Sequence, residues 1–141
     1  MRSKNKIYQL KINEISEHYL CLAESYKKTV FLDKHFSLNR LSSALKTDGI
    51  ALIFGSYAKG LEKKDSDLDL FIAGDYNKKE MEEYQKSTAL EISIKHYPKD
   101  AFDDPDILTK EVIKHHIIIE GQESFVKSLL NLLQKSGWQS L

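Results

Sequence analysis

Apolar residues recur along this chain with two periods, and the switches between them mark its elements. In residues 7–13, Tyr8, Leu10 and Ile12 alternate with Gln9 and Lys11, the two-residue period of a short strand. From Ser16 the spacing becomes three and four. Tyr19, Leu22, Ala23, Tyr26, Val30 and Phe31 predict a helix over 16–33. A second helix is expected over 37–46, with Ser37 as its N-cap. "DGIALIFG" reads as a turn and an apolar strand over 50–54, and "DLDLFIAG" as a strand over about 68–73, closed by Gly74 and Asp75. Residues 77–87 form a polar helix, and "ALEISIKHY" holds a third strand over about 90–96. In "DDPDILTKEVIKHH", Asp104 is the expected cap and Pro105 the first helical residue. "IIIEG" reads as a short apolar connection. "QESFVKSLLNLLQKSG" is a closing helix with Phe125, Leu129, Leu132 and Leu133 on one face and Gly137 past its end. The expected class is α/β (α+β): a small mixed sheet with helices packed on one face, the first two strands of the 50–96 region antiparallel.

Composition then removes several options. The chain has 141 residues with 21 basic and 21 acidic, so its net charge gives no pull towards nucleic acid or membrane. Cys21 is the only cysteine, which excludes an internal disulfide and disfavours a cysteine-based zinc site. No apolar run approaches the roughly 18 residues that would span a bilayer. The N-terminus lacks the apolar stretch of a signal peptide. A soluble, cytoplasmic protein is expected.

The unusual stretch is "IFGSYAKGLEKKDSDLDLFIAG", residues 53–74. Leu68, Leu70 and Ile72 point to one face of the strand, and Asp67, Asp69 and Phe71 to the other. Two carboxylates side by side repel, and keeping both ionised calls for a cation; a hard divalent ion with oxygen ligands, Mg²⁺ or Mn²⁺, suits them. Glu91 alternates with Leu90 and Ile92 in the third strand, so it is expected on the same face, completing a three-carboxylate metal set. "GSYAKG" follows an apolar strand at a turn. Gly55 permits close backbone approach, and the amide and hydroxyl of Ser56 suit a phosphate at the start of a short helix. Alone, "GS" is only a turn, and "DSDLD" would serve as surface turn and cap residues. Together they are far more specific.

Gly55-Ser56, ten intervening residues and Asp67-x-Asp69 resemble the signature of the polymerase-β-like nucleotidyltransferase superfamily. "GSYAKG…SDLDL" is similar to its smallest members, the minimal nucleotidyltransferases. The resemblance covers roughly residues 36–134. It implies that Asp67 and Asp69 bind two Mg²⁺ ions, that Glu91 is the third, catalytic carboxylate, and that Gly55 and Ser56 hold the triphosphate of an NTP, ATP above all. Lys59 stands where relatives often have arginine and is a candidate phosphate contact. Lys63 and Lys64 share its loop, though a solvated loop explains them equally well. His115 and His116 are adjacent on a helix and do not share a face, so a helix-end pair near the C-terminal dipole is expected rather than a metal site. Trp138 is expected to make a packing or partner contact.

Residues 36–141 are expected to form the nucleotidyltransferase domain. Residues 1–35 would be a strand-helix appendage, either a winged-helix remnant or a partner-contact segment. That leaves no room for an acceptor-gripping domain, so the acceptor would be small or carried by a partner. The resemblance implies one: minimal nucleotidyltransferases are often antitoxins paired with a helical HEPN protein, to which they can transfer AMP. The expected function is Mg²⁺-dependent transfer of a nucleoside monophosphate to a hydroxyl. The alternative is a catalytically weak nucleotide-binding or DNA-associated regulatory module. Direct DNA binding is disfavoured because no basic helix suits a groove. Homo-oligomerisation is left open.

Overall fold

The computed structural model describes residues 14–136; the strand expected over 7–13, Gly137 and Trp138 lie outside the described residues. At its centre is a four-stranded mixed sheet in the order β3-β2-β1-β4. β1 is Ile50–Phe54, β2 Leu68–Ala73, β3 Ile92–Tyr97 and β4 Ile117–Glu120. The first two strands fall where the sequence pattern put them and pair antiparallel, with Phe54 opposite Asp69. β3 runs parallel to β2, with Asp69 opposite Ser93. A parallel neighbour needs a crossover, and α4 (Lys78–Thr88) supplies it, its first turn capped by the Asn77 side chain. The α+β class and mixed sheet are as expected.

"IIIEG" is not a connection. Residues 117–120 form β4, antiparallel to β1 on its free edge. Three consecutive isoleucines show no alternation because both faces of the strand are covered. Helices lie on both faces of the sheet rather than on one. Ala51, Ile53, Leu70 and Ile72 pack against Leu41, Leu45 and Met81. Ile50, Leu52, Phe71 and Ile118 pack on the other side against Val112, Phe125 and Val126. β1 is therefore buried at all five positions.

Helix boundaries shift where capping chemistry decides them. The region 37–46 is a 3-10 turn at Phe36–Leu38 followed by α2, Leu41–Leu45, so Ser37 lies within the turn and is no cap. After α3 (Gly55–Lys59) and α4, helix α5 spans Ile107–Lys114, capped by Asp106 rather than Asp104. Asp106 accepts from the Thr109 amide at 2.8 Å and from the Tyr97 hydroxyl at 2.7 Å. The second bond ties the cap to β3, which Asp104 does not do. α6 spans Gln122–Ser136. β3 begins at Ile92, two residues later than expected, because Ala89 ends α4 in a left-handed conformation (φ 55) and the chain needs Leu90 and Glu91 to reach the sheet.

α1 (Glu14–Lys34) packs along β4 and α6. The Lys28 ammonium donates to the Ile119 carbonyl at 2.9 Å, satisfying part of an exposed sheet edge. Among the described residues, no helix is long and apolar enough to cross a membrane.

Candidate active site

β1 ends at Phe54 and the chain turns at once into α3, five residues long. Gly55 makes the turn with φ +68, a conformation that costs any L side chain. Antiparallel pairing sets Asp69 beside this turn. A Cβ built on Gly55 would lie 3.2 Å from Cγ of Asp69 and closer still to Oδ2. The carboxylate is thus seated against bare backbone at the start of α3. No other residue type leaves that space.

Asp69 is half-buried and Asp67 exposed. Strand alternation places them on one face, two residues apart. Burial, and then the charge of Asp67, push the Asp69 carboxyl above its ordinary value, while Lys95 opposes the shift. Like charge held at the end of a strand is the electrostatic form of a cation site. Mg²⁺ commonly takes one or two protein carboxylates and completes its shell with water and substrate phosphates, so the Asp67–Asp69 pair fits it.

Glu91 is exposed and stands one residue before β3. Its carbonyl accepts from the Leu68 amide at 2.9 Å, which extends the ladder and keeps Glu91 level with Asp67. Among the described residues, no three His, Cys, Asp or Glu side chains converge as a metal site. The residue opposite Asp69 is Ser93.

Lys95, which the motif does not mark, stands near enough to Asp69 for its charge to act on that carboxyl. The alternation of "EISIK" already puts it on the face of Glu91 and Ser93, and that was the available signal. Lys59 closes α3, and its ammonium lies 3.3 Å from the Glu111 carboxylate of α5. The 61–67 loop is bonded to itself, with the Lys63 amide donating to Ser66 Oγ at 2.7 Å, and the side chains of Lys63 and Lys64 are exposed.

His115 is the exposed C-cap of α5. His116 is buried, and its Nδ1 donates to the carbonyls of Val112 and Ile113 at the helix end, at 3.1 and 3.0 Å. Its Nε2 lies 2.8 Å from Glu24. The two rings therefore part, one to solvent and one to a structural pair.

No curated protein matches the sequence. A solved structure titled "Crystal structure of the toxin-antitoxin with AMP-PNP" aligns with 16% identity and a TM-score of 0.43, covering 63% of this chain and 76% of that one. A likeness at that level does not bear on function. The family model for polymerase beta nucleotidyltransferases matches residues 39–128. That span holds all four strands, the Gly55 turn and both aspartates. On this match, over more than half of its length, the chain belongs to the polymerase beta nucleotidyltransferase family.

Proposed function

We propose that this protein transfers a nucleoside monophosphate from an NTP, ATP foremost, to a hydroxyl on a partner protein, with Mg²⁺ or Mn²⁺ held by Asp67 and Asp69. The observation that carries the reading is the Asp69 carboxylate seated against Gly55 with Asp67 beside it. It supports the reading because a carboxylate suited to a cation lies directly against a bare backbone turn suited to phosphate.

The bound ion would supply Lewis-acid stabilisation of the phosphates and lower the pKa of the attacking hydroxyl. The chain's own groups do the rest. The Gly55-Ser56 turn holds the triphosphate through amides and the Ser56 hydroxyl. Lys59 and Lys95 offer positive charge to phosphate oxygens. The acceptor oxygen forms a bond to the α-phosphorus, the bond from α-phosphorus to the bridging oxygen breaks, and pyrophosphate leaves. The hydroxyl proton passes to a carboxylate; Glu91, on the same sheet face, is the proposed acceptor and third ligand. A helical HEPN-type protein, in an antitoxin role for this chain, is the first partner to test.

One observation favours a second reading, a nucleotide-binding module with little turnover: among the described residues no group of three carboxylates or histidines stands converged as a metal site. Radiolabelled ATP, GTP, CTP and UTP with Mg²⁺ and the product of the neighbouring gene separate the two. Label on the partner or on a released product, lost in Asp67→Asn, supports transfer. Tight nucleotide binding with no labelled product from any NTP supports the module.

A further inference from the structure

Phe31 of α1 is buried in the core, but five other apolar residues of the helix do not face the domain. Ile15, Tyr19, Leu22, Tyr26 and Val30 are 61, 69, 69, 72 and 47% exposed. Their spacing of four, three, four and four draws one stripe along the helix, about 22 Å long. Charged residues make up 30% of the chain, yet the outward positions between Ile15 and Val30 hold none, their flanks being His18, Ala23, Ser25 and Thr29. Asp33 and Lys34, past Val30, are exposed, whereas Glu24, Lys27 and Lys28 bond towards the domain. Glu24 meets His116 at 2.8 Å, Lys27 meets Glu24 at 3.1 Å, and Lys28 reaches the Ile119 carbonyl at 2.9 Å. Between Ile15 and Val30 the helix thus directs its ion-pairing groups to its own domain and shows Tyr19, Leu22 and Tyr26 to solvent. Depletion of charge and enrichment of tyrosine mark the core of a protein interface.

The order of the stripe identifies the occupant. Read from either end it runs aliphatic, Tyr, Leu, Tyr, aliphatic. We propose that α1 pairs antiparallel with α1 of a second copy of this chain, about a twofold axis beside Leu22. The axis sets Leu22 against its own counterpart, Tyr19 against Tyr26 of the second copy, and Ile15 against its Val30. Every pairing is then apolar and occurs in both directions, as an isologous interface requires. The neutral face brings no like charges together. The five side chains offer on the order of 600 Å² per copy, which places the dimer at the small end of specific interfaces. The proposal does not depend on the transfer reaction.

Sedimentation velocity and cross-linking of the full chain test it. The wild-type protein should be dimeric at about 100 µM, and Leu22→Lys, which sets two ammonium groups on the axis, should weaken association at least about 100-fold with an unchanged thermal melt. Tyr19→Glu should weaken it about tenfold, and adding Tyr26→Lys should restore it, because antiparallel pairing puts each new carboxylate opposite a new ammonium. In a Cys21→Ser background, Leu22→Cys should form an interchain disulfide under mild oxidation and Ile15→Cys should not. A full chain that stays monomeric at about 1 mM overturns the proposal and leaves the stripe to a different protein. A dimer indifferent to Leu22→Lys, or a Tyr19→Glu defect that Tyr26→Lys deepens, overturns it equally.

Discussion

The carboxylate of Asp69 rests against the backbone of Gly55, where any Cβ would overlap it. Two strands and a turn are bound together by that contact, since Gly55 ends β1's run and Asp69 lies opposite Phe54 in β2. The glycine is needed twice, for its φ of +68 and for the space. Gly55→Ala should therefore cost about 1–2 kcal/mol for the left-handed backbone alone. It should also displace Asp69. A thermal melt lowered by several degrees, with Mn²⁺ and nucleotide affinity reduced together, is the expected result; normal binding at normal stability would contradict the contact.

The aspartate pair predicts a pH dependence. Asp69 is raised by burial and by Asp67, so the folded chain keeps its proton to higher pH than the unfolded chain does. Protonation thus favours the fold, and stability should fall as pH rises from the ordinary aspartate range through the raised value. Asp67→Asn removes the neighbouring charge and should lower the Asp69 pKa in an NMR titration without loss of stability. Asp67→Asn and Asp69→Asn should each reduce transfer more than about 100-fold. A destabilised Asp67→Asn would show that the pair is structural.

Glu24 carries the opposite sign. Burial raises its carboxyl, but the hydrogen bond and charge of His116, with Lys27, outweigh that and leave it below its ordinary value. A depressed carboxyl contributes stability above the unfolded pKa and loses it as pH falls through the folded one. Glu24→Ala should cost about 2–3 kcal/mol, because it removes the 2.8 Å partner of a buried imidazole and leaves that nitrogen only the Lys27 ammonium at 3.3 Å. Hydrogen exchange should show α1 loosening first, with its acid sensitivity reduced. Unchanged protection in α1 would mean that the pair does not hold the helix down.

Lys59 separates binding from stability. Its pairing with Glu111 at 3.3 Å joins two well-exposed side chains, so Lys59→Met should change stability by less than about 0.5 kcal/mol. If the ammonium meets phosphate, affinity for a non-hydrolysable NTP should fall about tenfold by calorimetry. Glu111→Gln should leave that affinity equal or stronger, since it frees the lysine. Equal affinities in all three proteins would remove Lys59 from the site.

Much of this site was legible in one dimension because its parts are local. The apolar run over 50–54 and the alternation at 67–72 place two strands, and the turn between them must return the chain, so the Gly55-Ser56 to Asp67-x-Asp69 spacing already implies their meeting. Asp67, Asp69 and Lys95 share a face for the same period-two reason. What alternation leaves open is where a side chain ends in space, and Glu91, level with Asp67 yet outside any cluster, turns on two residues of linker after α4. Burial on both faces erased the alternation of 117–120, so β4 became visible only as the partner that β1's free edge requires. The period of α1 was plain in sequence. A period reports that something apolar covers the stripe, not whether it is the chain's own core or another molecule. Only the packed structure, with Glu24 and Lys28 turned inward and Tyr19 and Tyr26 turned outward, shows that the described core does not cover it.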